Sequence, residues 1–498
     1  MAAETGIPVG RKGRYTGSES ARSYPAAATL DEPTPTPALL PGAAAPLAPA
    51  ERITQLLARA NEHEEAGRLE AAESALGEIL ALAPDHAGAL HLLGVVAFKA
   101  GRAEAAVALM ERSLAGNGAI ALYHRNLCEV YRVLGRLDEA VAAGRRAVAL
   151  APHDPHACNN LGVAHYYRLE LDAAIACAER AVALDPDFAG AHFGMAEALL
   201  LRGDFAPGWE QYEWRFKLAS APRLMPPTDR PQWDGGPLAG TLLLVADQGY
   251  GDVIQFSRYI AWVAGRAADI AVACSAEIRA VVAQQPGVRL MFDHWDKRPD
   301  FAAFCPLSGL PRLAGTRLDT IPADIPYLRA DPRKQTLWAA RLAALAPRGY
   351  RRIGLVWAGR PSHTNDRNRS AALAALRPLA ELPRTALIAL QKGAGQAQIG
   401  HYWGRAPLVN LGPEIADYAD TMAILDGLDL IVTVDTSVAH LAGAMGREVC
   451  VLLPFAPDWR WLLQRTDSPW YPSARLYRQP APGRWAAAVA AVAAALSA

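Results

Sequence analysis

"IVTVDTSVAHLAGAMG", residues 431–446, decides how the C-terminal half of this chain is read. A run of β-formers stops at Asp435-Thr436-Ser437, and an alanine-rich helical pattern follows at once with His440 in its first turns. A strand that passes straight into a helix through three oxygen-bearing side chains admits two readings. Thr436 or Ser437 caps the helix by accepting a bond from a free first-turn amide. Alternatively the hydroxyls, the imidazole and the helix end together hold an anion, because aligned peptide dipoles leave about half a positive charge there. The neighbouring segments bear on the choice.

Outward from this stretch, apolar runs alternate with helical patterns. "RIGLVWAG", "ALIALQKG", "LVNLG", "LDLIVTVDTS" and "EVCVLLPF" form one block, and "TLLLVADQGYGD", "IAVACSAEI" and "FAAFCPLSGLP" form an earlier one. Near-continuous apolar strands separated by helices predict parallel sheets covered on both faces. The blocks, 238–345 and 350–498, are read as two Rossmann-like domains with a cleft between them, and ligands in such folds sit beyond the carboxyl ends of the strands.

The strand exits are polar. "DQGYGD" (247–252) offers Gly249 and Gly251 for a tight turn close to a bound donor, and Asp252 at a helix start; turn glycines with an Asp N-cap are the plainer account. "LVWAGRPSHTNDRNRS" (355–370) carries His363, Arg367 and Arg369. It is either a solvated loop or a place for arginines that grip phosphate through paired bonds. "ALQKG" sets Gln391 and Lys392 at the next exit, as nucleotide contacts or surface groups, and "LLPFAPDWRW" keeps Asp458 and Arg460 polar among tryptophans. No clustered His, Cys or carboxylates have metal-ligand spacing, so no metal is expected. No P-loop and no G-x-S-x-G elbow is present.

Before these blocks the chain repeats. Ala72, Ala106, Ala140 and Ala174 stand 34 residues apart, as do Gly67, Gly101 and Gly135, with Leu169 in the next glycine slot. Pro84, Pro152 and Pro186 keep the same step. This is the tetratricopeptide period, and 53–218 is read as such an α-solenoid. Small residues let paired helices touch, glycine ends the first helix, and proline opens the next unit. Trp209, Tyr212, Trp214 and Phe216 near its end form an aromatic cluster that caps the solenoid or docks it on the next domain. Asn126 and Asn160 share one slot, from which their amides could bond an extended peptide lying along the concave face. Residues 1–50, rich in Ala, Pro and Thr, have too few large apolar groups to bury and are read as a disordered tail.

Bulk composition narrows the function classes. Lys and Arg total 50, and so do Asp and Glu, which gives no support for nucleic-acid or membrane-surface binding. Six scattered cysteines without a C-x-x-C pair read as buried thiols in a reducing compartment. No apolar run reaches the roughly 18–20 residues of a membrane span. Arg11, Lys12 and Arg14 precede no apolar segment, so no secretory signal is read and a cytoplasmic location is expected.

Taken together, "GYGDVIQFSRY" and "VTVDTSVAHLAGAMG" resemble the motifs of the glycosyltransferase family that includes the ADP-heptose:lipopolysaccharide heptosyltransferases. The longer pattern from 356 to 479 resembles a bacterial subgroup in which tetratricopeptide repeats precede that domain. The resemblance implies a GT-B fold of two facing Rossmann-like domains and an inverting transfer from a nucleotide-diphosphate sugar. It makes Asp252 the general base toward the acceptor hydroxyl and places Asp435, Thr436, Ser437 and His440 along the donor. Arg367, Arg369 and Lys392 are added as donor contacts from position and charge alone. The chain departs from the family at Asp247-Gln248, where the heptosyltransferases carry a basic or hydroxyl-rich segment, so the resemblance does not specify the sugar. The acceptor, protein or glycan, would be recruited by the repeats. Two alternatives remain: a protein-binding scaffold with an idle transferase-like domain, and a nucleotide-sugar epimerase.

Overall fold

The structure, a computed structural model, describes residues 48–218, 225–363 and 365–497. The expected tail falls outside the described residues up to position 47, but its last two residues, Pro49 and Ala50, already open the first helix. The described residues fall into two compact units that divide between Ala191 and His192.

The first unit consists of helix pairs: Pro49–Glu65 with Leu69–Leu82, Ala87–Lys99 with Ala103–Gly116, Ala121–Val133 with Leu137–Leu150, and Pro155–Tyr167 with Leu171–Leu184. The periodic alanines sit where the paired helices touch, and all four are buried. Gly67, Gly101 and Gly135 have φ of 70°, 79° and 75°, and the residue after each donates its amide back five residues, as Arg68 does to the His63 carbonyl. This is a left-handed helix stop, which glycine adopts without steric cost. Leu169 makes the same turn at φ 63° and carries the strain of a side chain there. Leu169→Gly is therefore expected to stabilise this unit by roughly 1 kcal/mol, read as a raised melting temperature in thermal unfolding.

The second unit holds two parallel sheets. The first comprises β1 (Leu238–Val245), β2 (Ala267–Ala273), β3 (Val288–Phe292) and β4 (Ala303–Pro306) in the order β3-β2-β1-β4. The second comprises β5 (Arg351–Val356), β6 (Thr385–Ala389), β7 (Leu408–Asn410), β8 (Leu430–Val434), β9 (Val449–Leu453) and β10 (Ala474–Arg478). Its order, β10-β9-β8-β5-β6-β7, is the doubly wound order, with the direction of winding reversing between β5 and β8. Every residue of β6, β8 and β9 is buried, as a sheet with both faces covered demands.

One boundary differs from the sequence reading. The helix Pro332–Leu345, assigned to the first block, packs on the helix Tyr418–Asp426 of the second sheet. Trp338 Nε1 and Lys334 Nζ donate to Asp420 Oδ1 at 3.1 and 2.6 Å, and Gln335 reaches Asp426 at 2.9 Å. The helix belongs to the second lobe because its buried face, Trp338 and Leu342, finds its partners there. No described helix is long and apolar enough to cross a membrane.

Candidate functional site

The two lobes meet through the helices Tyr250–Ser257 and Ser437–Ala444. A methyl group on Gly251 would lie 2.8 Å from His440 Cδ2, so only glycine permits this approach. Neither Gly249, at φ −65°, nor Gly251 has the left-handed backbone that a glycine-dependent turn would use. The sequence reading of these glycines as turn residues is thereby corrected: Gly251 serves the contact between lobes.

Around that contact the strand exits of both sheets open onto one cavity of about 610 Å³. This lies within the usual range for a small-molecule site. Its walls include Gly249, Gly251, Asp252, Arg369, Lys392, Asp435, Thr436, Ser437 and His440. Arg367 is an exception. It sits two residues from Arg369 on the short helix Asp366–Arg369, a spacing that turns it to the opposite side, and it is exposed.

The opening sequence question has a structural answer. Thr436 is the N-cap of Ser437–Ala444, its hydroxyl accepting from Val438 N at 3.3 Å. Ser437 Oγ accepts from Tyr418 OH at 2.7 Å and still borders the cavity. Across the reversal point, Arg369 Nη1 donates to the Asp435 carbonyl at 3.2 Å, joining the exits of β5 and β8. His440 Nδ1 lies 3.0 Å from Tyr471 OH, and its Nε2 lies 3.8 Å from Asp435 Oδ1. Burial pushes the Asp435 carboxyl up to about 6; neighbouring Asp458 adds to the shift, while Arg369 and Arg460 oppose it.

Arg460 and Asp458, noted in the sequence only as polar residues at an exit, organise the site. Arg460 is 3 % exposed and donates to Asp458 at 2.8 and 3.0 Å, to Gln255 and to Asp252. Burial disfavours its charge, but Asp458 and Asp252 outweigh that and hold its pKa above the ordinary arginine value. Tyr250 and Tyr418, which no sequence signal marked, face each other from the two lobes with ring centroids 5.1 Å apart, and both border the cavity.

Of the two residues at the β6 exit, Gln391 departs from the sequence expectation. Gln391 is spent on backbone: its Oε1 accepts from the Trp357 and Ala358 amides at 3.0 and 2.9 Å, stapling the β5 exit in place. Lys392 borders the cavity, with its ammonium held by the Ile415 carbonyl. Asp247 and Gln248 lie outside the cavity lining. Asp247 accepts from Ser308 N at 3.1 Å, and Gln248 Nε2 donates to Tyr212 OH at 3.1 Å. Among the described residues, no group of three or more His, Cys, Asp or Glu is placed to hold a metal ion.

In the repeat unit the expected amide ladder does not stand free. Asn160 is 5 % exposed, and its Nδ2 donates to the Arg125 carbonyl of the preceding repeat at 3.4 Å. A buried amide must find a partner, and the adjacent helix supplies one. Asn126 Nδ2 lies 3.0 Å from His91 Nε2. Burial, with help from Arg125, lowers the His91 pKa to about 3, leaving a neutral ring able to accept that bond.

Comparison with known proteins agrees with the repeats. Tetratricopeptide repeat models match residues 57–120, 105–155 and 155–188, so the chain carries tetratricopeptide repeats ahead of its α/β lobes. Protein FlbA of Caulobacter vibrioides is 25% identical over 449 residues, covering 83% of this chain and 73% of that one. Among solved structures, a MamA protein overlaps 34% of this chain and 92% of its own at 20% identity, with a TM-score of 0.30. Pseudomonas aeruginosa PilF overlaps 34% and 77%, also at 20% identity, with a TM-score of 0.32.

Proposed function

We propose that this protein is a glycosyltransferase of GT-B architecture that moves a sugar from a nucleotide-diphosphate donor to an acceptor recruited by its repeats. One observation carries the reading: polar exits from two parallel sheets converge on a single cavity that also holds a capped helix start, an arginine and an acid. The donor diphosphate lies against the start of Ser437–Ala444 and Arg369. As the bond from the anomeric carbon to the diphosphate breaks, the departing oxygens gain negative charge, which oriented amides and guanidinium stabilise. Asp252 takes the proton from the acceptor hydroxyl as its oxygen bonds to that carbon from the opposite face, inverting it.

A second reading, a binding scaffold with an idle site, draws on the ion pair between Asp252 and Arg460, which is also what a purely structural carboxylate would make. A nucleotide-sugar panel separates the two. The transferase reading expects thermal stabilisation by one donor class, since a ligand stabilises in proportion to its affinity, together with acceptor-dependent release of the nucleoside diphosphate. No stabilisation and no release across the panel would leave only the scaffold.

The Asp435 shift adds a pH signature. Below about pH 6 this carboxyl is protonated, and above it a negative charge faces the diphosphate. Donor affinity is expected to fall as pH rises through about 6, by up to tenfold per unit, as for a single linked proton. In Asp435→Asn that component should vanish; an unchanged profile in the variant would assign the titration to another group.

A further inference from the structure

The last helix pair, Ala189–Arg202 and Phe205–Tyr212, continues the repeat pattern in sequence, yet from His192 onward it belongs to the unit that holds the cavity. Its second helix is built into the lobes at three points. Trp209 Nε1 donates to the Thr316 carbonyl at 3.0 Å, and its ring meets Trp459 edge-on with centroids 5.2 Å apart. Arg215, 2 % exposed on the turn that follows, donates to Ser308 Oγ at 3.0 and 2.7 Å. Ser308 in turn donates its amide to Asp247, so this cluster fills the junction between the exits of β1 and β4. Tyr212, 2 % exposed, accepts from Gln248 through its hydroxyl and packs its ring edge-on against Trp459, with centroids 6.3 Å apart.

The third point bears on chemistry. Gln248 lies four residues before Asp252, and Trp459 is the residue before Arg460. Tyr212 thus touches the neighbours of both members of the Asp252–Arg460 pair, one on each lobe. We infer that Tyr212 is a positioning residue for the cavity: it fixes the exits of β1 and β9 relative to each other, so that Asp252 and Arg460 meet in one geometry. The terminal helix pair is then a working part of the catalytic body rather than a spacer. The catalytic consequence rests on the transferase reading; the structural coupling does not.

The test uses the full chain and four forms: wild type, Tyr212→Phe, Asp252→Asn and the double variant. Phenylalanine keeps the ring and its packing and removes only the hydroxyl. Melting of the cavity-bearing unit is followed by calorimetry. The inference expects the two single-variant shifts to add up to about 2 °C or more beyond the double-variant shift, because groups acting through one network are not additive. Additive shifts would overturn it. In turnover of the donor identified by the panel, Tyr212→Phe should lose about tenfold in kcat at unchanged donor KM, a split that a general loss of stability does not produce. Unchanged kcat would remove Tyr212 from the positioning role. A wild type that turns over no nucleotide sugar would end the transferase reading, and the melting cycle would still decide the coupling.

Discussion

Replacing Asp252 with asparagine is expected to lower acceptor-dependent transfer by about 10²–10⁴-fold, the range typical of a lost general base, while donor binding is retained. The substitution keeps the size of the side chain and an oxygen for Arg460 to meet, so the cavity should survive. What it removes is the ability to take a proton. Single-turnover kinetics and calorimetric donor titration on the same preparation separate the two effects. Near-normal turnover in Asp252→Asn would remove this residue from the base role and favour a structural ion pair. The position of Asp252 suits the proposed role. It is 8 % exposed, in the first turn of a helix, and lies on the wall of the cavity where the two lobes meet.

Arg460→Met carries the second large effect, on stability. The guanidinium is buried and bonds to Asp252, Asp458 and Gln255. A methionine of similar reach would leave two carboxylates without their shared cation, and breaking a buried pair by removing one partner costs about 3–5 kcal/mol. Denaturant unfolding should show this loss in the transition of the cavity-bearing unit, with the repeat unit's transition unmoved. If the loss stayed below about 1 kcal/mol, the exposed-pair range, the pair would be solvated rather than buried. Asp252→Asn in the Arg460→Met background should restore part of the loss, because it removes one of the stranded charges.

Much of this architecture can be read in the sequence because burial on both faces writes itself as uninterrupted apolar runs. β1, β2, β4, β5, β6, β8 and β9 were legible in that way, and so was the cavity, since polar residues ending such runs must gather at the carboxyl edge of a sheet. Of the four edge strands, β4 and β7 were also read, but β3 and β10 were not. "VRLMF" (β3) and "ARLYR" (β10) each border a single neighbour and keep exposed positions, so their patterns resemble loop sequence. The repeat glycines could be read from spacing alone, because a left-handed stop restricts which residue fits. Leu169 shows that the restriction is a cost rather than a prohibition.

The site residues divide along the same line. Thr436 could be read as a cap because capping is local. The grip of Arg460 on Asp252 could not, because the partners stand 208 residues apart and meet only when two lobes pack. The asparagines at 126 and 160 misled for a related reason. A shared repeat slot fixes where a side chain stands but not whether a neighbouring repeat has already taken its amide. Gly251 is the subtler case: its sequence context suggests a turn, and its necessity comes from the His440 ring on another lobe.

On the transferase reading, the helix start at Ser437 seats the diphosphate of a nucleotide sugar. Ser437→Asp tests it most directly, because an acid in the first turn of a helix is neutral or stabilising for the helix itself. The aspartate can also accept the Tyr418 hydroxyl bond that serine accepts. Isothermal titration of a nucleoside diphosphate into both proteins should show one site per wild-type chain. In the variant, binding should be weakened at least about tenfold, or 1.4 kcal/mol, at an unchanged melting temperature. Equal affinity in the two proteins, or no binding to either, would contradict it.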